Sequence, residues 1–198
     1  MGNKYKFNEF ENLRIINSTS LGTSQFLVSL FCEYLISGCG YGIEGNDFYS
    51  LIKKKFKEFS CDSLIVLGDL YYNYGRTGQD DYDPEYVRKF LDSFSDKLVC
   101  MKGNCDENIN TYLEPFDIIP GCINMKINNK DVYFTHGHVY NKRTWHKDNA
   151  ILISGHTHIA EFTNIGKCTY INPGSISLPL GKEDASYMLI TEKKCIVA

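Results

Sequence analysis

The sequence has no closely spaced pair of cysteines, although it contains eight cysteines among 198 residues. They are scattered without a Cys-x-x-Cys motif, and several fall within apolar, strand-like runs: Cys32, Cys39, Cys61, Cys100, Cys105, Cys122, Cys168 and Cys195. Structural zinc sites typically use close cysteine pairs, and disulfide frameworks belong to oxidising compartments. The scattered pattern therefore disfavours a structural zinc site and indicates reduced thiols in a cytoplasmic protein.

The chain also lacks a long apolar run and an excess of basic residues. Its longest apolar stretch, residues 25–37, is interrupted by Glu33 and is too short to span a bilayer, and residues 1–14 do not resemble a signal peptide. A formal net charge of −3 provides no general positive field for nucleic acid or an anionic membrane. We therefore expect no membrane segment and no strong nucleic-acid surface. An anionic substrate would need local cations such as metal ions.

Linkers, internal repeats and low-complexity tracts are absent as well, so we expect one domain over residues 1–198. Residues 1–45 form an atypical N-terminal segment in which residues 26–37 are interpreted as either a helix or a strand. From Asp47 to Phe59, apolar side chains recur at helical spacing, and a second amphipathic helix is expected to open at Pro84. Because buried strands are predicted over 63–67 and 97–101, this part of the chain has the strand, helix, strand order of a parallel sheet.

The second half of the chain has a different pattern, with short strands and few helical signals. Residues 122–127 and 131–135 are joined by a polar turn and are expected to form an antiparallel hairpin. Further strands are predicted near residues 150–154, 160–164, 168–172, 186–191 and 194–197.

Polar motifs with metal-binding side chains follow four of the predicted strands. All five histidines lie between residues 136 and 158, four of them in two tight pairs. The motifs are Gly68-Asp69, Gly103-Asn104-Cys105-Asp106, His136-Gly137-His138 and Gly155-His156-Thr157-His158. Asp, Asn and His together suit divalent ions such as Mn²⁺, Fe²⁺ or Zn²⁺. Two such ions bridged by one carboxylate can clamp a phosphoryl group in transfer, and Asp69 is the natural bridge.

The ordered set of these motifs, with Asn172-Pro173-Gly174-Ser175 after them, strongly resembles the calcineurin-like metallophosphoesterase superfamily, in particular its small bacterial and archaeal phosphodiesterase branch. The resemblance covers Gly45 to about Ile190. It implies an α/β fold, a four-layer αββα sandwich of two mixed sheets flanked by helices. It also implies two divalent metal ions, Mn²⁺ foremost, with Fe²⁺, Zn²⁺ or Ni²⁺ as alternatives.

The same resemblance implies how the ligands divide between two metal sites. Asp69 would bridge the ions, Asn104, His136 and His156 would complete one site, and His158 would belong to the other. The family supplies the remaining ligands of the His158 metal from an Asp-x-His-Gly motif, which this chain lacks. In its place stand Gly42 and Glu44, and Glu44 is the one side chain there that could still bind the metal. We therefore expect one firm and one weak site.

Three further residues are candidates for contact with the substrate. Cys105 stands where many relatives carry a histidine that assists the leaving group, but a cysteine there is equally an apolar filler. His138 is expected to hydrogen-bond the substrate or a metal ligand. Arg76 could form a bidentate contact with a phosphate, although a lone loop arginine is usually solvent-exposed. We expect His146 to be exposed to solvent. Residues 172–175 are expected to form a structural turn that braces the site.

Two functions follow from these residues. The first is a metal-dependent phosphodiesterase that uses metal-activated water on a small phosphodiester, with reduced activity if the second metal is lost. The second is an inactive phosphoesterase-like scaffold that binds a protein partner, because residues 151–158 and 170–174 are similar to the phosphoesterase-like subunit of retromer. With either function, the protein could form a homo-oligomer.

Overall fold

The computed structural model describes residues 6–7, 26–29, 45–70, 84–106, 114–127, 129–176, 179–180, 186–190 and 195–197. The α-helices in these ranges are α1, Gly45–Glu58, and α2, Pro84–Asp92. The strands are β1 Lys6–Phe7, β2 Phe26–Ser29, β3 Ser63–Val66, β4 Leu98–Met101, β5 Ile118–Ile119, β6 Cys122–Ile127, β7 Lys130–Thr135, β8 Ala150–Ser154, β9 Ala160–Ile165, β10 Cys168–Pro173, β11 Met188–Ile190 and β12 Cys195–Val197.

The strands form two mixed sheets. The first has seven strands in the order β1-β12-β11-β2-β3-β4-β5, and its β2 to β5 neighbours run parallel. The second has five strands in the order β6-β7-β8-β10-β9, with β7, β8 and β10 parallel and the outer strands antiparallel. Parallel neighbours matter for function because their carboxyl ends lie at the same edge of a sheet.

Strand β3 shows how the layers are held together, because its side chains alternate between two cores. Leu64 and Val66 pack on the helix side with residues of α1 and α2, whereas Ile65 packs on the other side against the second sheet. All three are fully buried. Burying an aliphatic side chain of this size contributes roughly 1.5–3 kcal/mol, so this central strand anchors the loop that follows it.

Both described α-helices cover the outer face of the seven-stranded sheet. Their contact is aromatic, with the ring centroids of Tyr49 on α1 and Phe90 on α2 4.6 Å apart. Over the outer face of the five-stranded sheet, Trp145 packs against Tyr133 at a centroid distance of 4.7 Å. No helix in the described ranges is long and apolar enough to cross a membrane.

The predicted α/β fold with two mixed sheets is confirmed. Both amphipathic helices, the central strands and the hairpin of β6 with β7 lie where they were predicted, to within two residues. For the segment at 26–37, the described residues form a strand. The two-residue strands β1 and β5 were not predicted, because such short segments carry no periodic pattern.

Candidate metal centre

Four predicted ligands follow four strands that end at the same edge of the sandwich. Asp69 follows β3 and Asn104 follows β4, and these two strands are parallel neighbours in the first sheet. His136 follows β7 and His156 follows β8, which are parallel neighbours in the second sheet. The two sheets pack face to face through the apolar core between them. Both pairs of strand ends therefore meet in one place.

Three of these side chains converge on the ring nitrogen Nε2 of the fourth, buried His136. This atom lies 3.0 Å from Asn104 Oδ1, 3.1 Å from His156 Nδ1 and 3.4 Å from Asp69 Oδ2. The metal-binding atoms of Asp69, His136 and His156 all lie within 4.8 Å of one another. In the described part of the chain this is the one such group, and His158 is not a member of it.

Hydrogen bonding assigns the proton of His136 to the other ring nitrogen. Nδ1 lies 2.7 Å from the carbonyl oxygen of Leu67, which can only accept, so Nδ1 donates. Burial lowers the pKa of His136 to about 4, against the opposing effect of Asp69, so the ring is neutral at neutral pH. The lone pair of Nε2 therefore points into the group of ligand atoms.

The centre is consequently crowded with acceptors. Asn104 donates its amide Nδ2 to the sulfur of Cys105, which leaves Oδ1 as the atom facing His136. Nε2, Asn104 Oδ1 and the carboxylate of Asp69 then face one another without a proton to share. A divalent cation relieves this repulsion, and nitrogen and oxygen donors of these types suit Mn²⁺, Fe²⁺ or Zn²⁺. The residues present therefore fit a metal ion.

The loops after β3 and β4 touch so closely that glycine is required in both. A Cβ atom on Gly103 would lie 2.1 Å from Asp69 Oδ1, and one on Gly68 would lie 2.6 Å from the backbone nitrogen of Gly103. Gly68 also has a φ of +97°, which L-residues rarely adopt. The glycines of the two predicted motifs are thus needed for the approach of the ligand loops.

The end of β10 braces the loop that carries His156. The buried side chain of Asn172 donates to the carbonyl oxygen of Gly155 at 2.7 Å and to Thr157 Oγ1 at 3.0 Å. Its own oxygen accepts from the backbone of Gly174 at 2.9 Å. The bracing role predicted for residues 172–175 is confirmed, but Asn172 performs it from the end of a strand and not from a turn.

Comparison with known proteins identifies the family. A family model described as the calcineurin-like phosphoesterase superfamily domain matches residues 48–194. The chain belongs to the calcineurin-like phosphoesterase superfamily. Phosphodiesterase YfcE of Escherichia coli strain K12 is 28% identical to it over 138 residues, which cover 68% of this chain and 75% of that protein.

Solved structures share the fold. The structure of YfcE, described as a phosphoesterase from E. coli, superposes with a TM-score of 0.70 at 23% identity, over 83% of this chain and 87% of that one. Vps29 of Cryptosporidium parvum superposes with a TM-score of 0.54 at 16% identity, over 88% and 89% of the two chains. The predicted family and the predicted class of enzyme, a phosphoesterase, are confirmed.

The other site residues predicted for this phosphoesterase lie at different distances from the four converging side chains. Cys105 donates its backbone N–H to Asp69 Oδ1 at 3.0 Å, and burial together with the neighbouring Asp69 raises the pKa of its thiol to about 12. His138 is exposed, with its ring centroid 5.2 Å from that of His136. His158 is buried, and its carbonyl oxygen accepts from Leu180.

Two predicted residues, Glu44 and Arg76, lie outside the described residues. Conversely, the sequence predicted no role for Asp106, although this residue belongs to one of the four predicted motifs. Asp106 is fully buried and accepts three backbone N–H groups from the two ligand loops. The signal for this role was an acidic residue in a strand-end motif whose predicted ligand, Asn104, is a different residue.

Proposed function

We propose that this phosphoesterase hydrolyses a small phosphodiester with the help of divalent metal ions, Mn²⁺ foremost. Asp69, Asn104, His136 and His156 would hold one ion. The observation that carries this proposal is the convergence of acceptor oxygens from Asp69 and Asn104 on the unprotonated Nε2 of His136, with the ring of His156 beside them. The name of the bacterial relative, a phosphodiesterase, supports the diester as substrate.

Different residues of the centre would bind the metal ion, orient its ligands and contact the phosphate. A bound divalent ion would supply a Lewis acid that activates water and stabilises charge on the phosphate. Leu67 aims the lone pair of His136 by accepting its Nδ1 proton. Exposed His138 stands beside the ligands and can hydrogen-bond a phosphate oxygen. Cys105 keeps its proton at neutral pH, because its pKa is about 12, and so acts as a thiol and not as a nucleophile.

We propose a second, weaker metal site that shares Asp69 and adds His158. This proposal rests on the missing Asp-x-His motif, because Gly42 replaces the aspartate and only Glu44 is left as a ligand there. Arg76 would contact the phosphate from the loop after β3. We also propose one domain over residues 1–198, supported by the pairing of β1 with β12 and of β2 with β3 and β11.

Hydrolysis of bis-p-nitrophenyl phosphate with added Mn²⁺ tests the function. Asp69→Asn keeps the size of the side chain but removes its charge, and we expect a larger loss of kcat/KM than the roughly 10–100-fold typical of groups behind metal ligands. His146→Asn is the control, because His146 is exposed and lies outside the group of ligand atoms. Equal turnover by wild type and Asp69→Asn would refute the proposal.

The second candidate is a scaffold that binds a protein partner. The missing Asp-x-His motif favours it, and the fold shared with Vps29 is compatible with it. Elemental analysis of the purified protein distinguishes the two functions. Two equivalents of metal per chain favour the enzyme, whereas no metal, together with no turnover, favours the scaffold.

A further inference from the structure

Asp106 is a buried carboxylate that no metal ligand set includes. One of its oxygens, Oδ2, accepts the backbone N–H groups of Asp69 and Gly103, each at 2.8 Å. The other, Oδ1, accepts the N–H of Leu70 at 2.8 Å. In the described ranges no lysine, arginine or histidine pairs with it. These three N–H groups therefore replace water around a carboxylate that is 0% exposed.

The direction of these N–H groups follows from the backbone after β3. Gly68 and Asp69 both have positive φ values, 97° and 58°, so the N–H groups of Asp69 and Leu70 turn toward one side of the loop. Successive N–H groups in such a turn form a cradle for an anion. Asp106 fills this cradle from the neighbouring loop. It also stabilises Asp69 in a backbone conformation that is strained for any residue with a Cβ atom.

A reciprocal contact connects the same two loops and involves the side chain of Asp69. Its oxygen Oδ1 accepts the backbone N–H of Cys105 at 3.0 Å. Its other oxygen, Oδ2, lies 3.4 Å from His136 Nε2. One carboxylate oxygen is therefore held by the loop after β4, and the other is directed into the centre.

We propose that Asp106 is the positioning residue for Asp69: by holding the backbone N–H groups on both loops, it directs the carboxylate of Asp69 toward His136 and so sets the affinity for metal. This inference rests on the proposed function in one respect, the binding of metal by Asp69. Asp106 acts through Asp69 and does not itself touch the metal or the substrate.

Asp106→Asn is the variant that tests this role. It keeps the size of the side chain, but it removes the charge and turns an NH₂ group toward at least one N–H donor. Leu91→Ala is the control for stability, because Leu91 is fully buried on α2 in the helix-side core and is not part of either ligand loop. We expect both variants of the full-length chain to melt at lower temperature than wild type.

The first readout is the Kd for Mn²⁺ from isothermal titration calorimetry after removal of bound metal with a chelator. Asp106→Asn should bind Mn²⁺ at least about tenfold more weakly, as expected for a group that orients a metal ligand. Leu91→Ala should bind it within about twofold of wild type, since additivity holds for distant sites. A wild-type Kd in Asp106→Asn would overturn the inference.

The second readout needs no metal and separates this inference from the proposed function. In the metal-free protein, amide hydrogen exchange of Cys105 reports the position of the Asp69 carboxylate, because Asp69 Oδ1 accepts that N–H. Asp106→Asn should speed this exchange at least about tenfold more than it speeds that of Ile65 in β3, because exchange of this buried central strand reports the global loss of stability. Unchanged exchange at Cys105 would refute the positioning role. Failure of the wild type to bind Mn²⁺ would refute the proposed function and the effect of Asp106 on metal affinity, but not the positioning of Asp69 by Asp106.

Discussion

At the scale of single residues, three of the predicted metal ligands have a strained backbone. Asp69, His156 and His158 have φ values of +58°, +67° and +60°, a region that residues with a Cβ atom rarely adopt. Each costs of order 1–3 kcal/mol and persists only where neighbouring contacts impose it. Such contacts are present: Asp106 accepts the N–H of Asp69, and Leu180 donates to the carbonyl of His158.

The low pKa of His136 predicts a pH dependence of stability. Because burial lowers this pKa from 6.5 to about 4, the unfolded chain binds more protons than the folded protein between these pH values. Stability should therefore be fully present above pH 6.5 and fall as the pH decreases to about 4. The corresponding loss is about 3 kcal/mol, from about 1.4 kcal/mol for each pH unit of the shift.

Urea unfolding of the metal-free protein from pH 7 to pH 4 would measure this effect. His136→Asn should flatten the dependence, because it removes the titrating ring and leaves an amide that can still donate toward Leu67. His146→Asn, the same change at an exposed histidine, serves as the control and should keep the wild-type slope. Identical slopes in wild type and His136→Asn would contradict the buried, neutral state of His136.

At the scale of elements, the parallel pair β8 and β10 connects the fold to the site. Both strands end at the same edge, and Asn172 at the end of β10 crosses to the loop that follows β8. The loop is also held from β7, since the N–H of Gly155 donates to the carbonyl of His136 at 2.8 Å. The position of His156 therefore depends on three neighbouring strands.

Asn172→Ala should lower the free energy of unfolding by about 2–4 kcal/mol, because it leaves buried partners at Gly155 and Gly174 unsatisfied. It should also weaken Mn²⁺ binding through His156. The matched control is Asn164→Ala on β9, whose side chain is exposed and contacts Thr169 at 3.3 Å. That change should cost less than about 0.5 kcal/mol. Denaturant unfolding would compare the two, and equal costs would contradict the bracing role.

At the scale of the whole molecule, the candidate ligands come from both sheets. Asp69 and Asn104 follow strands of the seven-stranded sheet, whereas His136 and His156 follow strands of the five-stranded sheet. A metal ion held by all four would connect the two layers, and the unfolded chain would not present this site. Metal binding should therefore stabilise the whole sandwich.

We expect Mn²⁺ at 100 times its Kd to stabilise the metal-free protein by about 2.7 kcal/mol and to raise its melting temperature accordingly. His156→Asn should abolish most of this increase, whereas His146→Asn, at an exposed position, should retain it. Thermal melts with and without Mn²⁺ would measure the difference. An increase of equal size in His156→Asn would place the metal elsewhere in the protein.

Local patterns were sufficient to predict much of the fold and the chemistry of the site. The apolar spacing in α1 and α2, the buried run of β3 and the turn between β6 and β7 are properties of neighbouring residues, so the chain order alone predicts them. The same holds for the motifs after the strands. The motifs that contain Asp69, Asn104, His136 and His156 could be found because they follow glycines and strand ends, whereas the resemblance to the calcineurin-like family implied that these four residues share one site.

Contacts between distant residues could not be obtained in this way. The Leu67 carbonyl that sets the proton on His136 is 69 residues away along the chain, and Asp106 is 37 residues from the N–H of Asp69 that it accepts. Both contacts exist only because β3 pairs with β4 and the two sheets pack face to face. The types of ligand residue follow from the local sequence. Long-range packing decides that these residues meet, which ring nitrogen of His136 carries the proton, and which ligands have a strained backbone.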